Sequence, residues 1–238
     1  MQAIILAGGK GARLKPYTAA FPKPLMPIGD YPILEVVIRQ LKNYGFDDIT
    51  MAVGHLRHLI QAFFDDGKRW DVKISYSVEE KPLGTAGPLQ LIKNCQSDFL
   101  VMNGDILTNL HFSSFFQYHK DSGAICTIAS YNKAVKIDLG VLKAEADNLL
   151  YDYIEKPTLH YSVSMGIYAF KKEVLDYIPV NEYFDFPDLI KTLIKNGKKV
   201  LQYPFEGHWL DIGRAEDYEL ATEQFEKHTA EFLGKTGK

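Results

Sequence analysis

The sequence predicts an α/β fold, a doubly wound and mainly parallel sheet, with a β-rich, mixed-sheet lobe in its second half. Three observations carry that prediction. Across residues 1–105, apolar runs of strand length alternate with segments of helical spacing. After Asp105 come four β-like runs with little helix between them. Helical spacing then returns near residue 186 and again from about Ala215. Strands that alternate with helices imply βαβ crossovers, and hence a parallel sheet covered on both faces.

In chain order, "QAIILA" is a short apolar run that ends in glycine, as a buried parallel strand does. From Pro32, the residues Ile33, Val36, Val37, Leu41 and Tyr44 fall at helical spacing, with proline suited to the first turn and Gly45 to the stop. "DITMAVG" reads as the next strand and "LRHLIQAFFDDG" as the next helix. "VKISYSVEE" is a strand, "TAGPLQLIKNC" a helix and "DFLVMNGD" a strand. "GAICTIAS", "GVLKA", "NLLYDYIEK" and "VSMGIYAF" form the β-like group. "FPDLIKTLIKNG" is helical, "KVLQYPF" a strand, and the last helix precedes a polar tail. The expected organisation is one domain over 1–238, with a first half to about residue 110 and a second half from about 111.

Composition excludes several classes. The chain has 238 residues, 46% hydrophobic and 24% charged, which is enough to bury a substantial core and argues against disorder. A formal net charge of −3 gives no electrostatic reason to expect nucleic acid or an anionic membrane as partner. Cys95 and Cys126 lack CxxC spacing and read as buried, reduced thiols of a cytoplasmic protein. No apolar stretch reaches bilayer-spanning length, and "MQAIILAGG" lacks the basic start of a secretory signal. The seven histidines show no zinc-type spacing, and His208 reads as a surface or supporting residue.

The stretch that carries chemistry is "ILAGGKGARLKP". In an open parallel sheet, ligands bind at the carboxyl ends of the strands. Gly8, Gly9 and Gly11 stand at such an end, where a turn without Cβ atoms brings backbone N–H groups against an anion. The order G-G-K-G-A-R is neither G-x-G-x-x-G nor a P-loop, which needs a closing G-K-[ST]. A phosphate cradle remains. Ten residues on, Lys23 sits between two prolines in "FPKPLMPIGDYPIL", presented from a stiffened segment.

These two blocks resemble the signature of the sugar-1-phosphate nucleotidyltransferases (nucleoside-diphosphate-sugar pyrophosphorylases), L-A-G-G-x-G-T-R-L followed by P-K-P. Ala12 stands where that family usually has threonine. The likeness continues through "PLGTAG", "VMNGDIL", "IEKP", "GIYAF" and "WLDIGRAEDY", nearly the whole chain. It implies a Rossmann-like, three-layer α/β/α nucleotidyltransferase fold with a small sugar-binding lobe. It also implies the reaction of an NTP with a sugar 1-phosphate to give an NDP-sugar and pyrophosphate.

By that resemblance, Leu6, Ala7, Gly8, Gly9 and Gly11 hold the nucleotide, Arg13 stabilises the departing pyrophosphate, and Lys23 contacts both phosphates. Asp105 and Asp211 match the aspartates that hold Mg²⁺, whose preference for carboxylate, phosphate and water oxygens suits the reaction. The loop with Glu80, Gly84 and Thr85 meets the base, and a glutamate before P-L-G-T-A-G looks most like the mannose- or heptose-1-phosphate guanylyltransferase branch, which favours GTP. Gly104, Gly140, Glu155, Lys156, Ser164 and Gly166 match the sugar-binding positions. Ser164-Met165-Gly166 replaces the usual N-A-G or N-T-G, and Leu139-Gly140 the usual Y-G, so an uncommon sugar is expected. The chain ends without the hexapeptide repeats of many relatives and reads as a stand-alone transferase domain, with a homodimer left open.

The alternatives are a cytidylyl-, uridylyl- or thymidylyltransferase that acts on a sugar phosphate or phosphocholine. From another class comes a catalytically silent subunit that senses nucleotide sugars. Retention of Arg13, Lys23, Asp105 and Asp211 together speaks against the last.

Overall fold

The computed structural model describes residues 1–14 and 16–233. Lys15, from the basic stretch after the glycines, and the polar tail at 234–238 lie outside the described residues. The strands are β1 (Gln2–Leu6), β2 (Pro27–Ile28), β3 (Tyr31–Pro32), β4 (Asp48–Val53), β5 (Lys73–Val78), β6 (Asp98–Asn103) and β7 (Ile106–Thr108). They continue with β8 (Cys126–Lys136), β9 (Val141–Ala144), β10 (Leu150–Ile154), β11 (Thr158–Lys171), β12 (Val200–Phe205) and β13 (Trp209–Asp211). The helices are α1 (Ile33–Asn43), α2 (Arg57–Phe64), α3 (Phe112–Ser122), α4 (Phe186–Lys195) and α5 (Ala215–Leu233).

A seven-stranded sheet in the order β12-β8-β11-β6-β1-β4-β5 forms the middle layer. β6, β1, β4 and β5 run parallel, β11 is antiparallel to both its neighbours, and β12 runs parallel to β8. The sheet is therefore mixed and mainly parallel, as the sequence predicts. Strand alternation builds a core on each face. Ala3, Ile5, Leu100 and Met102 point to one side, against Val37 and Leu41 of α1, Phe64 of α2 and Phe115 of α3. Ile4, Phe99 and Val101 point to the other, against Leu189 and Leu193 of α4.

The short strands β2, β3, β7 and β13 were not expected, and two longer segments differ from the sequence reading. "TAGPLQLIKNC" holds only a 3-10 turn, Gly87–Leu91, because Pro88 and the buried Leu89 fold it tightly under Phe184. Conversely, α3 was not expected. It presents Phe112, Phe115, Phe116 and His119 at helical spacing to the core, and the His111 ring accepts a hydrogen bond from the Ser114 amide at its start. Both cysteines are buried and unpaired. No helix among the described residues is long and apolar enough to cross a membrane.

The four predicted β segments of the second half are β8 to β11. β8 and β11 run on past the sheet as a two-stranded ribbon, Ser162 to Thr158 pairing with Asn132 to Lys136, and β9 and β10 form a hairpin beside it. Between Ser164 and Tyr168 the register shifts, and Gly166 takes a φ of +72° there. The bulge marks where β11 leaves the ribbon and begins to pair with β6 at Ile167.

A third core lies under α5. Ala221, Phe225 and Phe232 pack with Leu14, Met26, Ile28, Leu107 and Ile212. Leu14, Met26, Leu107 and Ile212 sit one to three positions from Arg13, Lys23, Asp105 and Asp211. One helix thus braces four separate chain segments.

Candidate active site

Past the ends of β1, β4, β5 and β6 opens a cavity of about 800 Å³. Its floor is the turn after β1. Gly11 has a φ of +59°, a region that favours glycine, and a Cβ there would press on the Thr18 methyl at 2.9 Å. The Gly11 carbonyl accepts hydrogen bonds from the Thr18 hydroxyl (2.7 Å) and the Leu14 amide (2.9 Å), which brace the loop from below. Gly8 and Gly54 approach so closely that a Cβ on Gly54 would stand 3.1 Å from the Gly8 carbonyl.

Leu6, Ala7, Gly8, Gly9, Gly11 and Arg13 all line this cavity. So do Lys23, Glu80, Gly84, Thr85 and Asp105, residues far apart in the chain. Lys23 opens a 3-10 turn, Lys23–Leu25, between the buried Pro22 and Pro24, so the prolines fix the backbone that presents it. Its ammonium forms an ion pair with Asp105 Oδ2, the two side chains being 11% and 21% exposed. Asp105 Oδ1 is buried without a protein partner.

Asp211 completes the cluster. It ends β13, antiparallel to β7, and its pairing with Ile106 brings it beside Asp105. The Ile212 amide donates to the Asp105 carbonyl at 3.2 Å. Asp211 keeps solvent access, yet the protein crowded around its carboxyl raises the pKa, and the Asp105 charge adds to that against the opposing pull of Lys23 and Arg13. Two adjoining carboxylates, one with an unpartnered buried oxygen, are a donor set that suits a hard divalent cation. The Arg13 guanidinium lies near Gly213, on the Asp211 side of the cavity.

The base-side loop differs in detail from the sequence reading. Gly84 has a φ of +79°, with the Phe184 carbonyl 2.6 Å from where a Cβ would stand. The Thr85 hydroxyl donates to Asp185 Oδ1 (3.0 Å) and accepts from the Phe186 amide (2.9 Å), so it ties the loop to the start of α4. Burial acts to raise the Asp185 pKa, but hydrogen bonds from Tyr183 and Thr85 outweigh it and hold the carboxyl below its usual value. Glu80 is exposed at the rim. Glu79, which the sequence reading passed over, is half-buried inside the cavity. Its Oε2 accepts from the Leu83 amide (3.2 Å), Oε1 faces Gly8 and Gly54, and desolvation raises its pKa.

The sugar-side residues do not line this cavity. Gly104 is buried at the join of β1 and β6, where a Cβ would crowd Ile5 and the Leu6 carbonyl at 3.2 Å. Gly166 sits behind Asn103, a lining residue whose amide nitrogen would be 2.7 Å from a Cβ there. The Ser164 hydroxyl donates to Tyr168 Oη at 3.0 Å. Gly140 leaves room for Tyr153, whose hydroxyl donates to Glu155 Oε2 at 3.0 Å. Glu155 and Lys156 are exposed in the turn between β10 and β11, Lys156 with a φ of +44°.

Residues 2–228 match the family model described as nucleotidyl transferase. The chain is 35% identical over 240 residues to a UTP–glucose-1-phosphate uridylyltransferase of Synechocystis, covering 92% of this chain and 61% of that protein. It is 32% identical over 246 residues to a mannose-1-phosphate guanyltransferase of Schizosaccharomyces pombe, covering 98% and 68%. The chain thus spans roughly two thirds or less of the length of these relatives. Among solved structures, HddC from Yersinia pseudotuberculosis superposes with a TM-score of 0.74 at 25% identity, covering 94% of this chain and 99% of that one. The same protein complexed with GMP-PN superposes with a TM-score of 0.71.

Proposed function

We propose that this chain, which belongs to the nucleotidyl transferase family, transfers a nucleoside monophosphate from an NTP to a sugar 1-phosphate, releasing pyrophosphate and an NDP-sugar. The observation that carries this reading is the convergence of Arg13, Lys23 and Asp105 at one end of a glycine-floored cavity, with Asp211 close to all three although it does not itself line the cavity.

The reaction brings about two negative charges of a sugar phosphate up to the α-phosphorus of a triphosphate. Each pair of unit charges at ~4 Å costs roughly 4 kcal/mol at an effective dielectric near 20. Positioning and charge neutralisation therefore dominate, and no covalent nucleophile is needed. In this reading the backbone amides of residues 8–11 hold the triphosphate, and a phosphate oxygen of the sugar phosphate attacks in line. The bond from the α-phosphorus to its bridging oxygen breaks, and pyrophosphate leaves with the electron pair beside Arg13. Lys23 is held by Asp105 until phosphate oxygens compete for it. Asp105 and Asp211 would hold Mg²⁺, which supplies further neutralisation of the phosphates when bound.

GTP is the favoured nucleotide. A carboxylate accepts both guanine N1–H and N2–H, a pattern uracil half offers and cytosine lacks. Glu79 and Glu80 both reach the base-side wall, and Glu79 is the one inside it. The similarity to a UTP-using relative supports UTP as the second reading. Glu155, Lys156 and the glycines of the ribbon are assigned to the sugar, the product serving polysaccharide synthesis in the cytoplasm. A homodimer belongs to the same reading, with exposed Leu142, Leu150 and Tyr153 on the hairpin as apolar surface for it. Product analysis over a grid of four NTPs and several sugar 1-phosphates tests the assignment. GDP-sugar should dominate, and Glu79→Gln should narrow the margin over UTP; a UDP- or CDP-sugar as main product overturns the nucleotide assignment.

A further inference from the structure

At the opposite end of β13 from Asp211, fold brings together two histidines that lie twenty positions apart in sequence. The His208 and His228 rings stand 4.2 Å apart between centroids, tilted by 37°. Glu231 joins them: its Oε1 is 3.0 Å from His228 Nδ1 and its Oε2 is 3.7 Å from His208 Nε2. One ligand atom from each of the three residues lies within 4.8 Å of the other two. Histidine spacing in the sequence does not reveal this cluster, because the fold alone brings the two rings together.

We propose that His208, His228 and Glu231 form a binding site for a late first-row divalent cation such as zinc, which clamps α5 to the β7–β13 strand pair flanked by the active-site aspartates. Two imidazoles, the borderline donors that such ions favour, with a carboxylate make a mixed N/O set found for zinc, whereas Mg²⁺ prefers all-oxygen sites. Tetrahedral zinc with bonds of about 2.0–2.1 Å spaces its donors by roughly 3.3 Å, and one ligand atom from each residue already lies within 4.8 Å of the other two. The exposed Glu231 side leaves room for water as the fourth ligand.

Two further features separate this cluster from an ordinary pair on a helix surface. A single residue, Asn109, secures two of the ligands. Its amide nitrogen donates to Glu231 Oε2 (2.9 Å), and its oxygen accepts from the His208 backbone amide (2.8 Å). Such outer partners orient the ligands of metal sites. In addition, α5 breaks its helical path at His228 (φ −124°, ψ 26°), and His228 and Glu231 both reach His208. A helix-surface pair accounts for His228 and Glu231 but not for a histidine from the segment before β13 set against His228. The function is mechanical: β7 starts next to Asp105, β13 ends at Asp211, and the cation would pin α5 to the far end of both strands.

The test is titration of Zn²⁺ and Co²⁺ into the intact chain without Mg²⁺, read by calorimetry and by visible absorption of the Co²⁺ form. One equivalent should bind, with the intense bands of a low-coordinate, imidazole-ligated Co²⁺ and a rise in Tm. His208→Ala, His228→Ala and Glu231→Gln should each weaken binding tenfold or more, while Asp211→Asn leaves it unchanged. Far-UV spectra of the metal-free variants establish that each is folded. Undiminished Zn²⁺ affinity in His228→Ala, its loss in Asp211→Asn alone, or no binding by the parent chain at millimolar Zn²⁺ would overturn the proposal.

Discussion

Lys23 and Asp105 hold each other in the ligand-free chain, so each waits on a partner that the substrates must displace. Removing the ammonium by Lys23→Ala, or a carboxylate by Asp211→Asn, should lower kcat/KM about a hundredfold or more, as loss of a transition-state charge partner does. Steady-state rates check this, and a variant within a few-fold of the parent would show the role misassigned. Asp211 carries a second expectation. Its pKa is raised by burial and by Asp105, so the folded state binds this proton more tightly than the unfolded one, and stability falls as pH rises above the ordinary carboxylate value. Asp211→Asn should therefore raise Tm at pH 7 in metal-free buffer while it lowers kcat/KM, and a lowered Tm contradicts that account. His119 gives the opposite slope. It is fully buried on Thr127 (2.8 Å), and desolvation depresses its pKa to about 4. The stability it protects is complete above pH ~6.5 and is lost as pH falls toward 4. Urea midpoints between pH 6.5 and 5 should fall in the parent and fall less in a folded His119→Gln.

α5 is the element on which the site geometry depends. Leu14, Met26, Leu107 and Ile212 anchor the segments of Arg13, Lys23, Asp105 and Asp211, and Phe225 of α5 packs in the same core at 2% exposure. Phe225→Ala should cost about 3–5 kcal/mol of stability and, at temperatures where the chain is still folded, lower kcat. Chemical denaturation beside kinetics tests this; a normal kcat in a destabilised variant would mean that α5 supports the fold but not the site. Why some elements were legible follows from their chemistry. Glycines at 8, 9 and 11 and prolines around Lys23 constrain their own backbone, so short stretches of sequence reveal them. The α3 helix was hidden because its buried face is only two turns long and ends on a histidine, and another histidine, rather than the usual small polar residue, caps it. "TAGPLQLIKNC" has apolar spacing, yet Pro88 and contacts with Phe184 set a turn that spacing alone does not encode. Glu79 and Glu80 follow the last residue of a strand, and sequence does not fix which of them turns inward. The pairing of His208 with His228 depends wholly on where α5 docks.

At the scale of the molecule, a mainly parallel sheet gathers the ends of β1, β4, β5 and β6 around one cavity, and one antiparallel strand, β11, leads out to the ribbon. Residues from Leu6 to Asp105 that the sequence assigned to the nucleotide all meet in that cavity, while the sugar-side residues other than Gly104 belong to the ribbon and hairpin. Binding that spans these parts should stabilise the whole chain. A nucleotide at a hundred times its Kd adds about 2.7 kcal/mol, seen as a rise in Tm that Lys23→Ala blunts. The central claim, that the converged charges drive nucleotidyl transfer, is tested most directly by pyrophosphate release from NTP and sugar 1-phosphate. The account predicts one pyrophosphate per NDP-sugar formed, only with both substrates and Mg²⁺ present, and at least a hundredfold loss in Lys23→Ala. Intact binding of both substrates without pyrophosphate release would contradict it.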